Sequence, residues 1–271
     1  MKCFYINLNK ETNRRSEIEK NFLDNKSHEW SLTRFSAIDT DFVKKNKIQG
    51  KLRDSEKACF LSHKFVVKEN IKSQSPIFIL EDDTIFGKNT CKILDNFFKK
   101  SNNFDWDILF TDIIVPQPTQ MIELAKMRNE LSKKKTIEFI NLTKFNFAGA
   151  MGYIINSKSI EKFFNLLEIN GSLNIPYDLF LRKLIFENKL KGFVTFPFIT
   201  SMSKEGYLSQ IQEKSSADLV WHAFRQMIWL ERDIKNVEPI LKKIEDEICD
   251  ENSKQLSTII SACISKNFIP K

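Results

Sequence analysis

Residues 78–86 read FILEDDTIF, and Glu81, Asp82 and Asp83 follow the apolar run PIFIL without a break. An apolar run of that length predicts a buried strand. The acids then leave the strand at its carboxyl end, where open α/β sheets bind their ligands. Three crowded carboxylates repel one another unless a cation joins them. Hard cations such as Mg²⁺ or Mn²⁺ take one or two carboxylates together with phosphate oxygens. The Glu81-x-Asp83 spacing therefore suits a metal–diphosphate. Taken alone, the acids fit a solvated turn equally well.

Three further groups carry usable chemistry. In SEKACFLSH, residues 55–63, a helix sets Cys59 and His63 at i, i+4 and Glu56 and His63 at i, i+7. Glu56 is a candidate acceptor for a sugar or ribose hydroxyl, whereas a lone His is by default structural. Arg14 and Arg15 come just after the first apolar run, beside the expected nucleotide crevice, and Arg pairs well with phosphate. At least one of them reads as a surface charge. Asp178, in Pro176-Tyr177-Asp178, is either a helix-start acid or a general base for an acceptor hydroxyl. Asp112, ending DWDILFTD, competes for the base role.

These groups need a scaffold, and the composition allows one. The chain has 271 residues, 42% hydrophobic and 28% charged, a globular composition with seven Gly and seven Pro. Residues 214–271 hold nine Lys/Arg and nine Asp/Glu, so the formal +7 belongs wholly to residues 1–213. A basic surface suits anionic partners. No ribonucleoprotein-like or helix-turn-helix signature supports nucleic acid. Five cysteines (Cys3, Cys59, Cys91, Cys249, Cys263) lack CxxC spacing, and with three His this argues against a zinc site and for a reducing cytosol. The opening MKCFYINLNKETNRR has too short an apolar run for a signal peptide, and no run reaches the length of a membrane span.

Strand patterns are expected at 2–8, 32–38, 76–80, 105–111, 137–142, 147–155 and 192–199. Helices are expected at 13–23 with Thr12 as cap, 55–72, 89–100, 158–167 with Ser157 as cap, and from Pro176 to about Asn188. Residues 116–135 read as a basic excursion, either mobile or a helix over the site. This alternation predicts an α/β sheet with parallel strands. From Ser215 the apolar spacing turns helical, giving a catalytic domain at 1–213 and a helical appendage at 214–271.

Together these segments resemble glycosyltransferase family 25, the bacterial lipooligosaccharide galactosyltransferases related to collagen galactosyltransferases. The resemblance rests on Ile6-Asn7-Leu8 with Arg14, on Arg34-Phe35-Ser36-Ala37-Ile38-Asp39-Thr40, on residues 55–63, on Glu81-Asp82-Asp83, on Gly149 to Ile155 and on Pro176 to Asp178. It implies a GT-A-like, Rossmann-related, mostly parallel sheet flanked by helices. It implies transfer with inversion of a hexose, galactose from UDP-galactose foremost, onto a lipooligosaccharide or another surface glycan. Glu81 and Asp83 would hold Mn²⁺ or Mg²⁺. Asn7, Leu8, Arg14, Ala37, Asp39, Glu56, His63, Glu81 and Asp82 would line the UDP-sugar, and Asp178, or else Asp112, would act as base.

The sequence departs from the family where Thr40, Ser55 and Ala58 replace glycines. It also has no Gln or His just after Pro197, where a third metal contact is expected; His222 lies farther on. Two other readings compete: a transferase of glucose or N-acetylhexosamine for capsule or glycan, and a non-catalytic basic surface-binding protein on a decayed transferase fold. A cytoplasmic location is expected, with peripheral contact at the inner membrane face and a homodimer through the C-terminal helices as further expectations.

Overall fold

The computed structural model describes residues 1–100, 104–168, 171–203 and 216–231. The first strand, β1 (Lys2–Asn7), pairs in parallel with β2 (Ser31–Ser36) on one side and with β3 (Ile77–Glu81) on the other. The sheet continues through β7 (Gly152–Ile155), β5 (Ile108–Phe110), β8 (Gly192–Phe196) and β6 (Glu138–Asn141), in the order β2-β1-β3-β7-β5-β8-β6. Only β7 and β6 run against the others. This is the mostly parallel, helix-flanked α/β sheet expected from the sequence.

The apolar run of β3 is continuous because both of its faces are covered. Ile77 and Ile79 point into one core, packed with α3 (Asp54–Glu69), α5 (Pro118–Lys134), α6 (Ile160–Glu168), α7 (Tyr177–Phe186) and α8 (Ser216–Ile228). Phe78 and Leu80 point into the opposite core, with Ile18 and Phe22 of α1 (Thr12–Asn25) and Leu94 of α4 (Thr90–Lys100). Successive strand residues face opposite sides. Side chains just beyond β3 therefore have two layers to enter.

Several local expectations change. Helix α1 includes Thr12; its cap is Glu11, which makes no side-chain capping bond. Asn156, not Ser157, caps the next turn, accepting from Lys158 N before α6 begins. The short helix α2 (Thr40–Lys45) was not foreseen. Residues 116–135 are mostly α5, a helix whose buried face includes Met121, Leu124, Ala125 and Leu131. Two three-residue strands were also missed: β4 (Thr84–Phe86) pairs antiparallel with β9 (Thr200–Met202), folding the chain after β8 back beside the acids.

Helix α8 lies where the appendage was expected to begin. Its Val220, Ala223, Phe224, Met227 and Ile228 join the core that carries Ile77 and Ile79. The expected helical stretches of residues 232–265, with Cys249 and Cys263, lie outside the described residues.

Candidate active site

The carboxyl ends of β1, β2 and β3 finish level, with Asn7 opposite Ser36 and Ile6 opposite Glu81. From β1 the chain goes first to β2 on one side and later to β3 on the other. The crevice between β1 and β3 is thus a topological switch point, where doubly wound sheets bind ligands.

Asn7 forms its floor and is only 1% exposed. Its Nδ2 donates to Asp82 Oδ2 at 2.8 Å and to the Glu11 carbonyl at 3.0 Å. Arg34 orients it, donating from Nε to Asn7 Oδ1 at 2.9 Å and from Nη2 to the Asn7 carbonyl at 3.0 Å. Arg34 lay inside a recognised segment, but only the fold shows that it reaches the preceding strand. Leu8 is half-buried and its carbonyl accepts from Glu11 N; Ala37 N donates to the Asn7 carbonyl at 3.0 Å.

The three acids diverge as strand geometry requires. Asp82 leaves on the α1 side, where Arg14 Nη1 lies 3.1 Å from its Oδ1 and 3.8 Å from Asp83 Oδ2. Arg15 points elsewhere and pairs with Glu19 at 3.2 Å on the surface. Of the two arginines, only Arg14 serves the crevice. Glu81 leaves on the α3 side, with Oε1 3.7 Å from His63 Nε2.

Asp83 is 8% exposed, and its Oδ1 is buried with no hydrogen-bond partner. Burial first, then the charges of Glu81 and Asp82, push its carboxyl from the usual 3.8 up to about 7, against the pull of Arg14 and Arg225. An orphaned buried carboxylate among like charges suits a cation.

His63 is 1% exposed. Its Nδ1 lies 3.0 Å from the Tyr153 hydroxyl, which lies 2.7 Å from the Tyr177 hydroxyl. Its ring stacks on Tyr177 at 4.2 Å and 8°. No local spacing announces this tyrosine pair, because its members come from β7 and α7. Cys59 lies on the same face of α3. Burial first, then the charges of Glu81, Asp178 and Glu56, push its thiol pKa well up. Those three acids therefore converge on one side of α3.

Glu56 closes the first turn of α3, accepting from Arg53 N at 3.0 Å. Burial works against its charge, but the bonds from Arg53 prevail and lower its pKa. Asp39 caps α2, accepting from Phe42 N on Oδ1 at 2.8 Å. Half-buried Asp178, in the first turn of α7, accepts from Gly149 N on Oδ2 at 2.7 Å. Gly149 has φ +82°, so its glycine is required there. Thr40, Ser55 and Ala58, which replace family glycines, lie within α2 and α3. None is among the positive-φ residues, so their backbone needs no glycine.

Asp112 is wholly buried, and Arg225 of α8 donates to its Oδ2 from Nε at 2.9 Å and from Nη2 at 2.5 Å. His222 is half-buried on the same helix, and burial, then the charge of Arg225, lowers its pKa to about 3. It is neutral at physiological pH.

The family model described as "Glycosyltransferase family 25 (LPS biosynthesis protein)" matches residues 1–181. Over 118 residues the chain is 25% identical to the lipooligosaccharide biosynthesis protein lic2B of Haemophilus influenzae. That match covers 43% of this chain and 43% of the relative, so it spans less than half of either. Among solved structures, apo mouse xyloside xylosyltransferase 1 matches at 12% identity and a TM-score of 0.33, over 70% of this chain and 63% of that one.

Proposed function

The chain belongs to glycosyltransferase family 25, and on that premise we propose that it transfers a hexose, galactose foremost, from a UDP-sugar to a lipooligosaccharide or related surface glycan. The observation that carries this reading is the buried, unpartnered Oδ1 of Asp83 beside Glu81 at the β1/β3 switch point. The family description and the relative's name, which speak of lipopolysaccharide and lipooligosaccharide biosynthesis, support the acceptor class.

Glu81 and Asp83 fit a hard divalent cation, Mn²⁺ or Mg²⁺, as oxygen donors two residues apart. Such a cation, when bound, neutralises the diphosphate and stabilises the leaving UDP. Arg14 adds positive charge at the same end of the crevice, held there by Asp82. Asn7, fixed by Arg34, keeps Asp82 in place. With Oδ1 of Asp39 committed to its helix cap, Oδ2 is left for a ribose hydroxyl.

Asp178 acts as the base. Gly149 N holds its Oδ2, so Oδ1 takes the proton from the acceptor hydroxyl. The freed oxygen attacks the anomeric carbon opposite the departing UDP, which inverts that centre. Work at the cytoplasmic membrane face and pairing of chains through residues 214–271 belong to the same proposal.

A crystal soaked with UDP and Mn²⁺ tests it. The reading expects Glu81 and Asp83 on the metal and Asp178 facing the acceptor side. Diphosphate density away from the β1/β3 crevice would overturn it.

A further inference from the structure

We infer that Cys59, His63 and Glu81 form a second cation site, selective for a thiophilic divalent ion of the Zn²⁺ class. Cys59 Sγ, a His63 ring nitrogen and a Glu81 carboxylate oxygen lie within 4.8 Å of one another. Ligands around a tetrahedral Zn²⁺ stand roughly 3.3–3.7 Å apart, given bonds of about 2.0–2.3 Å. His63 Nε2 and Glu81 Oε1 are already at 3.7 Å. Closing the remainder takes about one ångström of side-chain motion, on that same bond geometry.

Cys59 and His63 are one helical turn apart on α3, a spacing that presents two ligands on one face. Missing CxxC spacing and only three His speak against zinc in the sequence; here the third ligand comes from the end of β3.

The surroundings of His63 are those of a built ligand. Its Nδ1 is occupied by the Tyr153 hydroxyl at 3.0 Å, and its ring is clamped on Tyr177. This leaves Nε2 directed at Glu81. An outer hydrogen bond that fixes the tautomer and aim of the other nitrogen is the usual support of a metal-ligating His. Cys59 is a half-buried free thiol. A sulfur, nitrogen and oxygen set selects Zn²⁺ over Mg²⁺ or Mn²⁺, which prefer oxygen alone. Binding releases the thiol proton to solvent and leaves the fourth position open.

Glu81 belongs to both cation sites, so the thiophilic ion withdraws it from the donor site, and Zn²⁺ opposes Mn²⁺ in transfer. That consequence rests on the proposed transferase reading; the site itself does not.

Titration of the full chain with Co²⁺ tests it. One equivalent should give a thiolate-to-cobalt charge-transfer band with tetrahedral d–d absorption. The band should vanish in Cys59→Ser and His63→Gln and persist in Asp83→Asn. One equivalent should also protect Cys59 of the unaltered chain from alkylation, read by mass spectrometry, which needs no variant to fold. Absence of the band in the unaltered chain, its survival in Cys59→Ser, its loss in Asp83→Asn, or alkylation of Cys59 at an unchanged rate would overturn the site. Failure of the transferase reading would appear separately, as no UDP-sugar turnover by a chain that still shows the band.

Discussion

Arg225 of α8 meets Asp112, just past the end of β5, in an ion pair sealed from solvent, with side chains 1% and 0% exposed. Two nitrogens converge on a single carboxylate oxygen, leaving Asp112 Oδ1 buried without a partner. Removing one member of such a pair strands the other charge. Arg225→Met should cost about 3–5 kcal/mol, and the double change Arg225→Met with Asp112→Leu should recover most of it. Urea unfolding of the single and double variants checks this. Equal stability of the single variant and the unaltered chain would mean that the pair contributes nothing.

Asn7 is a junction for Asp82, Arg34 and the Glu11 carbonyl. Asn7→Ala removes bonds to two charged groups, each worth about 1.5–3 kcal/mol. The unfolding midpoint should fall, and donor KM should rise more than kcat falls, because Asp82 and Arg14 lose their alignment. Steady-state kinetics in donor concentration separates the two effects.

Asp178→Asn keeps an oxygen for Gly149 N but cannot take a proton. Turnover should fall roughly 100- to 10,000-fold, while UDP affinity measured by calorimetry stays within a few-fold. Turnover that survives the change would remove Asp178 from the base role; Asp112, the other candidate in the sequence, cannot take it, because it is fully buried against Arg225.

The raised pKa of Asp83 gives stability a sign. Folded Asp83 holds its proton up to about pH 7, whereas an unfolded Asp releases it near 3.8. Between those values the folded state binds more protons, so its stability falls as pH rises. Thermal midpoints of the metal-free protein should decline across that window. Saturating Mn²⁺ should flatten the decline, since the cation replaces the proton. A midpoint that rises with pH over the same range in both conditions contradicts the assignment.

What the sequence made legible is what depends on short-range pattern. Runs such as PIFIL need only a buried strand, and Ile77, Phe78, Ile79 and Leu80 of β3 are wholly enclosed. The acids at its end, and Asn7 at the end of β1, follow from the same rule. The pairing of β4 with β9 was not legible, because two three-residue strands become a ribbon only when the chain after β8 returns beside Thr84. Arg225 stands 113 positions from Asp112, and no local spacing announces such a partner. The splaying of Glu81 from Asp82 was implicit in strand alternation. Its consequence, one acid toward α3 and the other toward α1, needed the helices in place.

The most direct measurement is UDP-sugar turnover by Asp83→Asn, with Mn²⁺ varied. Asparagine keeps the size of the side chain and removes the buried negative charge. The expected result is a loss of at least 100-fold, of the size seen when a transition-state electrostatic contact is removed, with folding and the unfolding midpoint retained. Turnover equal to that of the unaltered chain, with the same dependence on Mn²⁺, would contradict the metal-assisted transferase reading.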